Sequence, residues 1–114
     1  MLTWNQIYQT IADALGVELK AYHVAADFLS AVGDKYGFDL KGSLTGDKSV
    51  SVVFDNSKIK RLVPEMTTYI PYHKGVRLAL DYIKSHPAEY KEDPEFDAWC
   101  DRVISALEKA KTEI

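Results

Sequence analysis

The sequence predicts a mostly helical α/β fold, four to five helices with two short strands, in a single domain spanning residues 1–114. Three observations carry that expectation. Behind Asp93-Pro94, the residues Phe96, Trp99, Cys100, Val103, Ile104 and Leu107 recur at helical spacing. In the middle of the chain, Val50, Val52 and Phe54 alternate with Ser51 and Val53, which is the period of a strand. At the start, Thr3 and Gln6 stand three residues apart, the spacing of a reciprocal helix cap.

Taken in order, the first helix begins after Thr3. Its predicted apolar face is Trp4, Ile7, Tyr8, Ile11 and Leu15, and Gly16 stops it by supplying a left-handed backbone position. Met1, directly before this helix start, reads as a fragment boundary. Lys20 to Val24 alternates over five residues and is the first predicted strand, with Tyr22 and Val24 on one face. A second helix starts near Ala26, buries Phe28, Leu29, Val32 and Tyr36, and frays at Gly33. Gly37 to Lys48 holds three glycines and few large apolar residues, the composition of a loop. The second strand, Val50 to Phe54, runs into Asp55-Asn56-Ser57, three side chains able to cap helix amides. One or two turns of helix carry Ile59 and Leu62 before Pro64 ends them, because a proline pushes the preceding residue out of the α region. Thr67-Thr68 and Pro71 set up the next helix, Pro71 to about Ser85, with Tyr72, Val76, Ala79, Leu80 and Ile83 inward; His86-Pro87 breaks it. The last helix takes Asp93 as N-cap and Pro94 at its first position. Its stripe of large aromatics is expected to pack on a partner surface.

Composition narrows the function. Apolar content of 46% and charged content of 27% are those of an ordinary globular domain. The longest apolar runs are a handful of residues, too short for a transmembrane helix or signal peptide, so no membrane partner is expected. A single cysteine, Cys100, cannot form an internal disulfide, which suits a cytoplasmic location. The net charge of −3 points away from nucleic acid. Charge is nonetheless uneven. From Lys48 to Lys84 seven Lys/Arg face Asp55, Glu65 and Asp81, whereas from Pro87 onward eight acids face four bases. Such runs are ordinarily solvated faces.

The central stretch also carries a resemblance. Phe54-Asp55-Asn56-Ser57-Lys58-Ile59-Lys60-Arg61-Leu62-Val63-Pro64 resembles the Asp-x-Ser-Lys…Leu…Pro segment of the extended short-chain dehydrogenases/reductases, the NAD-dependent epimerase/dehydratase family. Upstream, Leu2-Thr3-Trp4-Asn5-Gln6-Ile7-Tyr8 is similar to the helix after that family's penultimate sheet strand. Downstream, Pro71 to Tyr82 resembles the helix that closes its chains, so the likeness covers roughly residues 2 to 86. It implies a carboxy-terminal, substrate-binding part that forms one wall of a substrate cleft, while another half binds NAD or NADP. It also implies a small-molecule substrate of sugar or nucleotide-sugar type, and a homo-oligomer.

The family's redox chemistry is absent from these residues. Glycines 16, 33, 37, 42, 46 and 75 form no Gly-rich turn that would bring backbone amides against a pyrophosphate. None of the seven tyrosines has a lysine four residues on, so the family's Tyr-x-x-x-Lys pair is missing. The chain alone is expected to be inactive, with no catalytic residues and no cofactor of its own. In the family an arginine precedes the Gly-Asp ahead of the central strand and grips a substrate phosphate; here Leu44 stands in that place, before Thr45-Gly46-Asp47, and Lys48 offers only a point charge. A nucleotide diphosphate is therefore the less fitting substrate.

His23, Asp47 and Lys48 are the candidate substrate-lining residues. Asp55, Ser57 and Lys58 form a structural motif in which Asp55 caps the helix and Lys58 reaches a nearby carbonyl or carboxylate. His23, His73 and His86 share no ligand spacing with one another or with Cys100, so no metal site is expected. Cys100, on the apolar face of the last helix, reads as a packed thiol and not a nucleophile. From a different class, the chain could be a free-standing helical interaction module that uses its Trp/Phe-rich last helix as the partner surface, and a weaker third reading is a small acid/base enzyme built on His23.

Overall fold

A computed structural model describes residues 1–67 and 70–114, with Asp47 described by its backbone alone. Thr68, read above as helix set-up, lies outside the described residues. Six α-helices are present among them: α1 (Trp4–Leu15), α2 (Ala26–Asp34), α3 (Lys41–Thr45), α4 (Ser57–Leu62), α5 (Tyr72–Ser85) and α6 (Pro94–Glu113). Short 3-10 turns occupy Asp47–Ser49 and Pro87–Glu89. No helix among the described residues is long and apolar enough to cross a membrane. The chain divides into two compact units, Met1–Gln9 with Leu19–Ile70, and Thr10–Glu18 with Pro71–Ile114.

Mostly helical content is as the sequence predicts. The two strands are not. Neither Lys20–Val24 nor Val50–Phe54 forms a strand, and none exists among the described residues. Val50 has extended dihedrals (φ −124°, ψ 148°), so the local preference is expressed there. A strand, however, is defined by its ladder, and an alternating segment without a neighbouring edge has nothing to pair with.

In the first unit the helices are short and held by local devices. The start of α1 is a capping box: the Thr3 amide donates to Gln6 Oε1 at 2.8 Å, and the Gln6 amide donates to Thr3 Oγ1 at 3.3 Å. Helix α2 ends where Gly37 takes φ +79°, with Phe38 N–H donating to the Gly33 carbonyl and Gly37 N–H to that of Asp34. Gly33 does not fray the helix. It is buried, and a Cβ there would meet the Phe38 carbonyl at 3.0 Å and Leu40 Cδ1 at 3.2 Å. The chain folds back over it, which only a residue without a side chain permits. Tyr36 falls outside α2 and is exposed.

The glycine-bearing stretch after Gly37 is helix α3 and a 3-10 turn, not a loop. Hydroxyls there take up carbonyls: Ser43 Oγ donates to Leu40 O (3.1 Å), Thr45 Oγ1 to Lys41 O (2.6 Å), and Ser49 Oγ to Gly46 O (2.7 Å). Such side-chain bonds to backbone carbonyls one turn back mark a short, tightly turning stretch of helix. At Gly46 a Cβ would lie 2.7 Å from the Gly42 carbonyl, so the tight passage from α3 into the turn requires glycine.

The second unit holds the core. Its buried apolar side chains are Ala12, Val76, Trp99 and Val103. The end of α1 is closed by Gly16 at φ +70°, with Val17 N–H on the Ala12 carbonyl and Gly16 N–H on that of Asp13. On α6, Asp93 accepts from Phe96 N–H at 3.0 Å and Pro94 occupies the first turn. Phe96, Trp99, Cys100, Val103, Ile104 and Leu107 are the residues of α6 that are buried or half-buried, and the rest of the helix is exposed. The stripe the sequence marks is thus the buried or half-buried side of α6. On α5 the predicted inward face shrinks to Val76, buried, and Leu80, half-buried; Tyr72, Ala79 and Ile83 are exposed. Lys111–Glu108 (2.8 Å) and Lys109–Glu113 (3.6 Å) are exposed ion pairs near the end of α6, each worth at most about 1 kcal/mol.

Candidate functional site

Lys48 lies in a groove of about 610 Å³ within the first unit. Its walls are Met1, Leu2, Trp4 and Ile7 from the start of α1, and Val50 and Val52 from the segment after the 3-10 turn. Thr3, Ser49 and Ser51 add hydroxyls. Two of these are already committed, Thr3 to its capping box and Ser49 to the Thr45 and Gly46 carbonyls. The groove is thus mainly apolar, with one cation, Lys48, among its lining residues. It holds no nucleophile–base pair.

His23 is not among the residues lining that groove. Its Nε2 lies 2.9 Å from Asn5 Oδ1, so the ring tethers the segment before α2 to α1. The amide oxygen accepts, so Nε2 carries the proton. An amide partner orients the ring. Asp47 opens the 3-10 turn beside Lys48, and its side chain lies outside the described residues. Lys48 thus lines the groove and His23 does not.

Asp55 takes up the first amide of α4, as the sequence reading expects. Its Oδ1 accepts from Ser57 N–H at 2.9 Å, two residues on, which makes an Asx turn; Asn56 is the N-cap residue of α4 and makes no side-chain cap. The bond from the Ser57 amide, reinforced by the Ser57 hydroxyl, holds the Asp55 carboxyl below its ordinary value. The turn still launches α4 at the expected place, and α4 ends at Leu62, before Pro64. Lys58 is exposed on α4.

One cluster escaped the sequence reading. At the end of α5, the Tyr82 and His86 rings stack with centroids 4.0 Å apart, and Tyr82 Oη donates to Glu89 Oε2 at 3.0 Å. Ser85 Oγ donates to the Tyr82 carbonyl at 2.8 Å, and His86 Nδ1 lies 2.9 Å from that same oxygen. Ser85 Oγ also lies 2.9 Å from His86 Nδ1. The shallow hollow beside it, about 180 Å³, is lined by Tyr82, Ile83, His86, Glu89 and Tyr90. The i, i+4 spacing of Tyr82 and His86 was the available signal. The contacts of Ser85 and His86 with the Tyr82 carbonyl help close the helix end, which is a structural task.

Cys100 is half-buried, and burial first, then the carboxylates of Asp97 and Asp101, push its thiol up from the usual value. A raised thiol holds little thiolate, the reverse of an activated nucleophile. No group of three or more His, Cys, Asp or Glu that could hold a metal occurs among the described residues. No family model matches the chain, and neither a curated protein nor a solved structure matches it.

Proposed function

We propose that this chain is the carboxy-terminal, substrate-side part of an extended short-chain dehydrogenase/reductase-like protein of the epimerase/dehydratase type. One observation carries the reading. Val50, Val52, Val53 and Phe54 are 65, 53, 79 and 82% exposed, in a strand-patterned segment that meets no strand, directly ahead of the Asp55–Ser57 turn and α4. Four large apolar side chains in five residues rarely stay bare on a finished domain. They suit a segment whose neighbouring sheet edge belongs to another part of a larger protein. In this reading the two predicted strand segments, Lys20–Val24 and Val50–Phe54, become strands on joining that part, which also brings NAD or NADP and the Tyr/Lys pair. The groove beside Lys48 then forms one wall of the cleft for a sugar-like substrate.

The test is the size of the native polypeptide. An antibody raised against α6 should detect a band well above 12.9 kDa in extracts of the native source. A single band at 12.9 kDa sinks the reading. The second reading, a free-standing helical interaction module, would then stand.

A further inference from the structure

Helix α4 carries three cations that the chain itself does not use. Lys58, Lys60 and Arg61 are exposed, and none makes a hydrogen bond or ion pair among the described residues. By contrast, Lys109 and Lys111 near the end of α6 find Glu113 and Glu108. The acids nearest in sequence do not take the α4 cations up. Asp55 accepts from the Ser57 amide, and Glu65 follows Arg61 by four residues without pairing with it. Lys60 and Arg61 stand in the last turn of α4, where the helix dipole favours cations. That accounts neither for Lys58 nor for the side chains between them.

Those side chains are apolar and equally bare. Ile59, Leu62, Val63 and Met66 are 37, 66, 42 and 42% exposed. At about 100° per residue, Ile59 and Leu62 share one face of α4. Lys58 and Arg61 border that face on the Leu62 side, and Lys60 borders it on the Ile59 side. Val63 N–H on the Ile59 carbonyl and Met66 N–H on the Val63 carbonyl carry the chain on in a tight turn. An exposed apolar face with cations on both flanks is the pattern of a helix lying in the plane of a membrane surface. We propose that α4 and the Val63–Met66 turn dock on an anionic phospholipid surface, Ile59 and Leu62 entering it and the three cations meeting its headgroups. Long basic side chains suit that place, since their stems lie along apolar surface while their charges stay in water. Single-stranded nucleic acid is the other polyanion to weigh, but it is held on aromatic faces, and residues 57–66 contain none. Such a contact needs no membrane-spanning helix. The acid excess of the chain lies from Pro87 onward, outside this stretch.

Docking through α4 is independent of the reductase reading, since it uses neither the groove beside Lys48 nor the Val50–Phe54 segment. Flotation of the full 114-residue chain with vesicles tests it. Phosphatidylserine-rich vesicles at low salt should be bound at least about tenfold more tightly than phosphatidylcholine alone, and release the chain as salt rises. Lys58→Gln, Lys60→Gln and Arg61→Gln together should weaken binding about tenfold or more, each surface cation being worth roughly a fivefold factor. Leu62→Ser should weaken it about fivefold while leaving its salt dependence in place. The charge-conserving set Lys58→Arg, Lys60→Arg and Arg61→Lys should bind like the unaltered chain. Equal binding to the two vesicle types, binding to neither, or a Leu62→Ser variant that binds undiminished each overturns the proposal. So does a single-stranded RNA homopolymer bound more tightly than the phosphatidylserine-rich vesicles. Should the triple Gln variant lose its helical circular dichroism, Leu62→Ser and the charge-conserving set still decide.

Discussion

The two units of this protein use the same kinds of residue with opposite results. In Thr10–Glu18 with Pro71–Ile114, a 20-residue helix carries a continuous stripe, and Trp99 is left 2% exposed. In Met1–Gln9 with Leu19–Ile70, helices of five to nine residues follow one another, and Phe54 is left 82% exposed. No large apolar side chain is fully covered in that first unit; its buried described residues are Ser30 and Gly33. The difference is one of reach. A long helix presents several turns of one face, enough to share with other helices, whereas two turns offer one or two side chains. The first unit is accordingly built from caps, turns and glycine passages, and the second from burial.

If that contrast is right, the two units should break by different means. Trp99→Ala should have the largest effect, about 3–5 kcal/mol, by opening a cavity under α6. Chemical denaturation followed by helical circular dichroism reads it. By contrast, Val53→Ser in the first unit should change stability by no more than about 0.5 kcal/mol. Equal losses from the two variants would erase the distinction.

Gly46→Ala sharpens the comparison from the other side. Its methyl group would meet the Gly42 carbonyl at 2.7 Å, so α3 or the following turn must move. A loss of about 1 kcal/mol or more is expected, with amide shifts confined to the first unit. Shifts that spread to Trp99 and Val103, or none at all, would contradict a locally held unit. Asp93→Ala removes the one described N-cap of α6 and should cost about 1 kcal/mol. Rescue by Asp93→Asn or Asp93→Ser, but not by Asp93→Leu, separates capping from bulk.

Acid should produce the smallest change. The Asp55 carboxyl is held below its ordinary value in the folded chain, so its contribution is present above that ordinary value, near 3.9. It fades as pH falls through the lower, folded value. Asp55 is exposed, so the effect is local: the Ser57 amide resonance should titrate in this acid range while Trp99 does not. A Ser57 amide that stays constant, or one that moves only near neutrality, would remove Asp55 as the reason α4 starts where it does.

How much was legible can be read residue by residue. Both ends of α1 were visible in Thr3, Gln6 and Gly16, because each device closes within a few residues of itself. The start of α6 and all six members of its stripe were visible for the same reason. For the candidate site, the sequence singled out Asp55 and Ser57 and placed Lys48 near the central segment. It could not place Lys48 beside Trp4 and Ile7, or set His23 against Asn5, since those partners are 18 residues away or more. Helix α3 was hidden by its glycines, whose low propensity gave no hint that Ser43 and Thr45 would satisfy carbonyls one turn back. The closure at Tyr82, His86 and Glu89 was hidden by Pro87, beyond which periodicity carries no information.

By itself, then, the sequence determined where helices begin and stop and which side of each is apolar, because those choices are settled by partners within about one helical turn. Only the tertiary structure decided which apolar side is covered. Trp99 and Phe54 are equally unmistakable as core residues when read in the chain. One meets a second surface and the other does not, and burial is a property of the pair of surfaces, never of one alone.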